Sequence, residues 1–349
     1  MGADVRHTQG ESRELFSYVA SEPTRQRKAG GESLTSGLFG EVSLEAGRLT
    51  LSGGGRIDHY SIDKGFLLER QIATGATLRD EHYAPRNGWR PTARVGAVVD
   101  VGEGFSLRSA AYLGWRLPTL NELFRPFRAG PDATAANPLL DPEKLTGIEG
   151  GLRYDKGGIS LSASAFANRL TDAIANVTLG RGPGIFPGVG FVGAGGEYRQ
   201  RLNIASIRVR GLEFSGSVTR GPWSARAGYA FADAKVRGGS FAAQLDGLRP
   251  AQTPRHSFSA GLSWDDSGRA MSIILRHSGR QYEDDLNQRS LPSATTLDGS
   301  AAWPLTGALD LVVRGENLLD AQVVAGIDGN GAIERATPRT FWLGLRFGR

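Results

Sequence analysis

The chain of 349 residues contains no cysteine, which excludes a disulfide framework and thiolate chemistry and leaves its redox compartment open. It also lacks any run of about 18 apolar residues, so no transmembrane helix is indicated. The opening Met1-Gly2-Ala3-Asp4-Val5-Arg6 has neither the hydrophobic stretch nor the cleavage site of an export signal. Histidine is scarce: the five residues His7, His59, His82, His256 and His277 are far apart and show no metal-ligand spacing. No Gly-x-Ser-x-Gly elbow or P-loop occurs. The glycines around Gly182-Pro183-Gly184 and from Gly190 to Gly196 lack the strand–turn–helix context of a phosphate cradle and read as a mobile loop. Glu283-Asp284-Asp285 reads as a solvated charge run rather than a cation site. No catalytic set emerges, so the chain reads as a non-enzyme without metal or cofactor. Its +5 charge is spread along the sequence, with no basic stripe, zinc-finger spacing or stacking-aromatic motif, and nucleic acid is not an expected partner.

What the sequence does contain is period-two alternation almost throughout. Ala93, Val95, Ala97 and Val99 are separated by Arg94, Gly96 and Val98; Ile159, Leu161, Ala163 and Ala165 alternate with serines. Met271, Ile273 and Leu275, then Leu309, Leu311 and Val313, then Phe341, Leu343, Leu345 and Phe347, repeat the pattern. Side chains on a strand point to opposite faces, so each segment has one apolar and one polar face. The mean hydropathy of −0.27 does not argue against a membrane, because barrel strands are only half apolar.

Short and long connections alternate. Six turns are short: Glu45–Arg48, Gly102–Gly104, Asp155–Gly158, Arg220–Pro222, Asp265–Gly268 and Pro304–Gly307. Between them fall seven long polar connections, near Ala20–Ser33, Asp63–Gly88, Leu117–Lys144, Leu179–Glu197, Lys235–Pro254, Arg280–Pro292 and Asp320–Ala336. Thirteen connections predict fourteen antiparallel strands in an all-β transmembrane barrel, with short periplasmic turns and long extracellular loops. Trp223, Trp264 and Trp303 sit beside short turns and Trp89 and Trp115 at long-loop ends, as expected of two interfacial girdles. One segment breaks phase: Ile207 and Val209 are apolar at odd positions, Leu212, Phe214 and Val218 at even ones, which predicts a glycine β-bulge at Arg210-Gly211.

Two blocks carry a family resemblance. Trp115-Arg116-Leu117-Pro118-Thr119-Leu120-Asn121-Glu122-Leu123-Phe124, followed by Asn137-Pro138 and by Pro142-Glu143, resembles a signature region in the barrel of TonB-dependent outer-membrane receptors. Asn317-Leu318-Leu319-Asp320 and Pro338-Arg339-Thr340-Phe341 resemble the last two strands of that family. In this family a barrel of about 22 strands encloses an N-terminal plug, and the plug carries the segment contacted by TonB. The resemblance implies that residues 1–349 form the C-terminal fourteen strands of such a barrel, without plug or signal peptide. It implies import of a scarce solute such as a ferric siderophore, with outer-membrane lipid and the barrel-assembly machinery as partners. Phe347 is followed by Gly348-Arg349, whereas family members commonly end on the aromatic. A self-closing fourteen-strand barrel acting as a passive channel is the alternative, because an even strand number permits closure. A soluble or surface β-sheet binding module is the third.

For ligand binding the candidates lie near the loops: Arg116, Arg125, Phe127, Arg128, Arg280 and Tyr282. Arginine interleaved with aromatics suits carboxylate or catecholate ligands through charge and stacking. The inward arginines Arg94, Arg108, Arg116, Arg226, Arg276 and Arg314 are expected to pair with Asp100, Glu149, Glu213 and Asp310.

Overall fold

A computed structural model describes residues 1–348. Fourteen long strands follow one another: β1 (Gly2–Val19), β2 (Glu22–Ala46), β3 (Leu49–Gln71), β4 (Arg86–Gly102), β5 (Phe105–Arg116), β6 (Glu143–Lys156) and β7 (Ile159–Arg181). The second seven are β8 (Glu197–Arg220), β9 (Trp223–Arg237), β10 (His256–Asp266), β11 (Arg269–Ser278), β12 (Ala294–Thr306), β13 (Leu309–Glu316) and β14 (Thr340–Phe347). Each pairs antiparallel with the next in sequence, giving an all-β meander. Among the described residues no pairing joins β1 to β14.

All six short connections are tight turns, from Gly47-Arg48 to Gly307-Ala308. Glycines at positive φ, among them Gly47, Gly158, Gly221 and Gly268, supply the left-handed backbone such turns need. The opposite end differs from expectation in one place. Ala20–Ser33 is not a long loop: Ala20 and Ser21 make a two-residue turn, and β1 and β2 run on as a ladder to Val19↔Glu22. Both turn residues have positive φ, and the polar strand ends around them look like loop sequence because they need no apolar face beyond the lipid. The glycine-rich segment also has regular structure, a hairpin of Gly184–Phe186 with Gly190–Val192.

Register fixes the faces. Leu44↔Leu51, Leu107↔Leu152, Ala163↔Phe214, Tyr229↔Phe258, Leu262↔Ile273 and Val313↔Leu343 lie side by side on one face. This apolar surface crosses the sheet and exposes, among others, Leu152, Leu161, Phe214, Ile273 and Leu345. Soluble monomers tolerate patches of roughly 300–600 Å²; a band crossing fourteen strands needs hydrocarbon around it. Trp223 pairs with Trp264 and, with Trp303, edges the band beside the short turns, while Trp89 lies exposed at its other end. Trp115 does not join them. The β4–β5 ladder stops at Ala93↔Leu113, so the end of β5 pairs with β6 alone, and the Trp115 indole donates to Asp58 on the opposite face at 3.0 Å.

That opposite face is polar. Its arginines bond across strands: Arg94 to Glu41 at 2.7 Å, Arg108 to Ser164 at 2.6 Å, and Arg276 to Asp298. Arg314 pairs instead with Glu316, two residues along its own strand, at 2.7 Å. These are mostly not the expected partners. Asp310 does take an arginine, Arg346, at 2.7 Å, but Asp100 instead accepts from the Gly102 amide at 2.8 Å. Cross-strand partners depend on register, which alternation alone does not supply.

No bulge interrupts β8 at Gly211. The ladder runs unbroken through Phe166↔Gly211 to β7 and Gly211↔Ala232 to β9. Ile207 and Val209 are inward residues at the height where loops fold into the mouth, so there the inner face is apolar and the phase never slips. Ile207 packs on the buried cluster of Ala173, Val177, Ile204, Val236, Ala242 and Leu245. Glycine is needed at 211 for a different reason. A Cβ there would stand 2.3 Å from the Phe231 carbonyl oxygen and 2.4 Å from the Phe166 ring. Gly211→Val is therefore expected to lower the unfolding free energy by about 1–3 kcal/mol in a urea titration followed by tryptophan fluorescence. Gly150→Ala, whose Cβ would meet nothing closer than 3.9 Å, is the neutral control.

Candidate functional site

The signature block builds the inner wall at the long-loop end. Pro118 ends β5, and Thr119 caps helix α1 (Leu120–Phe124). The Thr119 hydroxyl accepts from the Glu122 amide at 3.2 Å, and the Glu122 carboxylate accepts from the Thr119 amide at 2.7 Å, a reciprocal capping box. A helix of five residues is too short to stand by itself, so tertiary contacts hold it. The Arg116 guanidinium donates to both Glu122 oxygens at 2.9 and 3.1 Å and also bonds Glu143, the first residue of β6. The other Glu143 oxygen accepts from the Ile174 amide at 2.7 Å. Leu123 and Phe124 are buried with Tyr60, Ile62 and Leu140, and Phe124 stacks on Tyr83 at 5.3 Å. Gly65 admits this ring: a Cβ there would lie 2.4 Å from Phe124 Cζ.

The remaining signature residues are also bonded into the frame. The Asn121 carbonyl accepts from Arg201 at 2.8 Å; the Asn137 amide donates to the Arg201 carbonyl at 2.9 Å. The Pro138 carbonyl accepts from Arg86 at 3.0 Å, and Pro142 is buried. At the other block, the Asn317 side chain bonds the Ala321 carbonyl and amide, each at 2.9 Å. The Leu318 amide donates to the Leu297 carbonyl at 2.7 Å, and the Asp320 carboxylate accepts from Arg339 at 3.3 Å.

Between this block and β1–β3 lies a cavity of about 980 Å³, lined by Arg6, Arg56, Asp58, Trp115, Arg116 and Arg125 among others. Arg56 forks onto Asp4 at 2.6 and 2.8 Å and also bonds Asp58 at 2.7 Å. Arg125 pairs with Glu14 and sits 5.7 Å from the Phe127 ring. Arg6 forms no ion pair among the described residues. Of the six expected ligand residues, Arg116 and Arg125 reach this cavity. Phe127 and Arg128 lie on the short strand Phe127–Ala129 outside it. Arg128 donates to the Val189 and Phe191 carbonyls at 2.6 and 2.8 Å, and burial with nearby Arg27 and Arg25 lowers its pKa. Arg280 and Tyr282 belong to another loop, bonded to each other at 2.8 Å. Arg6, Arg56 and Trp115 were not expected here. Their signal was positional: Arg6 and Arg56 occupy the polar phase of β1 and β3.

A second network ties the loops together. Buried Glu197 receives Arg289 through two bonds of 2.9 and 3.0 Å and also bonds Arg199, which reaches Asp132 at 3.0 Å. Asp284 and Asp285 are not a solvated run. Asp284 is buried and accepts from the Gln288 amide at 3.0 Å, and Asp285 bonds the Thr178 amide and hydroxyl at 2.8 and 2.7 Å. Burial pushes the Glu197 carboxyl up, but Arg289 and Arg199 outweigh it and hold it below the ordinary range. Glu122 behaves alike, with Arg116 and the Thr119 amide overcoming its burial.

The sequence matches the family described as TonB dependent receptor-like, beta-barrel over residues 1–318. The chain belongs to this family of outer-membrane β-barrel receptors. It is 26% identical over 310 residues to the iron-regulated outer membrane virulence protein of Vibrio cholerae, covering 86% of this chain and 42% of that one. It is 22% identical over 254 residues to the vitamin B12 transporter BtuB of Vibrio vulnificus, covering 72% and 36%. The ferric yersiniabactin uptake receptor FyuA of Yersinia pestis superposes with a TM-score of 0.74 at 16% identity, over 99% of this chain and 50% of that one. The chain thus spans less than half the length of the curated relatives it matches.

Glu122 and Glu197 have depressed pKa values in the folded state, so the stability they confer is fully present above the ordinary 4.5. It is lost as pH falls below that value through their folded pKa values. Limited proteolysis by a protease active at low pH is expected to leave the 179–196 and 279–293 loops intact at pH 5 to 7 and to cut them increasingly below about 4. Glu197→Gln is expected to give cleavage at both pH values.

Proposed function

We propose that residues 1–349 are the C-terminal part of the barrel of a TonB-dependent importer, and that the cavity behind the signature block helps bind a scarce anionic solute of the ferric-chelate class. The barrel would be a closed ring of about 22 strands, in which β1 and β14 meet further strands rather than each other. A plug domain of the whole receptor would bind the solute from below and couple to TonB, and the barrel-assembly machinery would insert the wall. The observation that carries the substrate class is the charge of the cavity. Of its lining arginines, Arg56, Arg116 and Arg125 are held by carboxylates of the chain, and Arg6 forms no ion pair among the described residues. The Arg6 guanidinium, left without a carboxylate partner, suits a carboxylate or catecholate oxygen through charge-assisted hydrogen bonds. The iron-related names of relatives support this class, and another relative is named a vitamin B12 transporter.

The test uses the full-length receptor expressed from its gene in an outer membrane. Uptake of ferric siderophores is expected to cease when tonB is deleted or the proton gradient is collapsed. Uptake that persists in the tonB deletion overturns the reading. In the same receptor Arg6→Ala with Arg125→Ala is expected to weaken half-saturation by about tenfold or more, since charge-assisted hydrogen bonds are the stronger ones. Stepwise conductance by the isolated 349-residue chain in planar bilayers would instead favour a self-closed passive channel.

A further inference from the structure

Above the apolar band the wall reverses its polarity, and the outward side carries a row of four cations with one carboxylate, Asp233, opposite Arg210 among them. Leu170, Ile207 and Val236 lie opposite one another on β7, β8 and β9 and turn inward onto the loop core. The neighbouring residues therefore turn outward. Arg169 stands directly opposite Arg208, and Arg208 opposite Lys235, with Arg210 two positions nearer the band. Opposed side chains on adjacent strands are about 5 Å apart, and like charges in that arrangement destabilise a sheet.

The protein does little to neutralise them. Among the described residues Arg169, Arg208 and Arg210 form no ion pair and no side-chain hydrogen bond. The Lys235 ammonium is 3.8 Å from Asp233, whose carboxylate already accepts from Arg255 at 2.6 Å. Lys144, near the row on β6, is held by Asp172 at 2.9 Å.

A second feature meets this row. An outer-wall groove of about 710 Å³ crosses β4 to β8, with Ala111 and Ala167 among its small lining residues and Val95 and Ile148 at its sides. It reaches Arg169, Arg208 and Arg210. Val95 and Ile148 are 59% and 62% exposed, so the groove opens to the surroundings of the barrel rather than to its interior.

We propose that this surface binds a single lipid of the outer leaflet, its acyl chain in the groove and a phosphorylated headgroup on Arg169, Arg208, Arg210 and Lys235. An apolar channel within the band that ends on cations matches a chain joined to anions. Arginine suits phosphate because its fork donates two parallel hydrogen bonds. The row spans two interstrand spacings, about 10 Å in all, wider than one phosphate, so the headgroup carries at least two. The long-loop end faces the cell exterior, which places the site in the outer leaflet. The assignment rests on the membrane location of the wall and not on what the receptor imports.

The test is binding of diphosphorylated lipid A to the full-length receptor purified in detergent micelles, read by native mass spectrometry, with inorganic phosphate as competitor. Arg169→Gln/Arg208→Gln/Arg210→Gln is expected to weaken lipid binding at least tenfold. Equal binding by the triple variant, or by a zwitterionic phospholipid as strongly as by diphosphorylated lipid A, overturns the proposal. Displacement by inorganic phosphate at the concentration of the lipid itself reduces the site to a simple anion site and also overturns it. If the triple variant does not fold, Ala111→Phe replaces it. This substitution fills the groove and keeps the cations, so lipid affinity is expected to fall while phosphate affinity stays. Unchanged lipid affinity in that variant refutes the groove.

Discussion

The unbroken antiparallel ladder between sequence neighbours is the constraint on which everything else depends. In hydrocarbon no water can satisfy a backbone amide or carbonyl, so each strand must be bonded on both sides for its whole membrane length. The meander from β1 to β14 meets that demand along every internal strand. Because each ladder is in register with the next, apolar residues of all strands share one face, and polar residues the other. A slip of one residue would put arginines into lipid and leucines into the lumen.

The same ladder carries the wall beyond the membrane, where the demand on each face reverses. The outward face no longer needs to be apolar and carries Arg169, Arg208, Arg210 and Lys235. The inward face meets loops and becomes a protein core, with Ile207 and Val236 in one cluster and Tyr60 and Ile62 in another. The signature residues act at this boundary. Thr119 and Glu122 close the short helix, Arg116 and Glu143 tie it to two strands, and Phe124 plugs it against Gly65. Their work is to position the mouth, and the cavity behind them follows from it. Carboxylates with depressed pKa values, Glu122 and Glu197, make this architecture electrostatic as well as apolar.

Reading the sequence recovers the membrane part well. Fourteen strands, their tight turns and the tryptophans at the short-turn edge follow from alternation and from glycine placement, because lipid and water impose opposite preferences on successive residues. It recovers the loops poorly. Ala20–Ser33 reads as a loop because strands above the membrane have no lipid face to fill. Ile207 and Val209 read as a slipped phase because the inner face turns apolar there, Ile207 packing on the loop core. Asp284 and Asp285 read as solvated charge because the amides they bind come from elsewhere in the chain.

The site shows the same division. Period-two alternation by itself determined that this chain is a β-sheet with one lipid face, and the two signature blocks marked its family. Only the tertiary structure decided which arginines share a cavity. Arg6 of β1, Arg56 within β3, Arg116 at the end of β5 and Arg125 after α1 meet through register, whereas Arg280 and Tyr282 pair in a different loop. Alternation is local, set by the direction of each Cβ, and so it is written in the sequence. Which strand faces which, and at what offset, is settled by ladders between residues far apart in the chain.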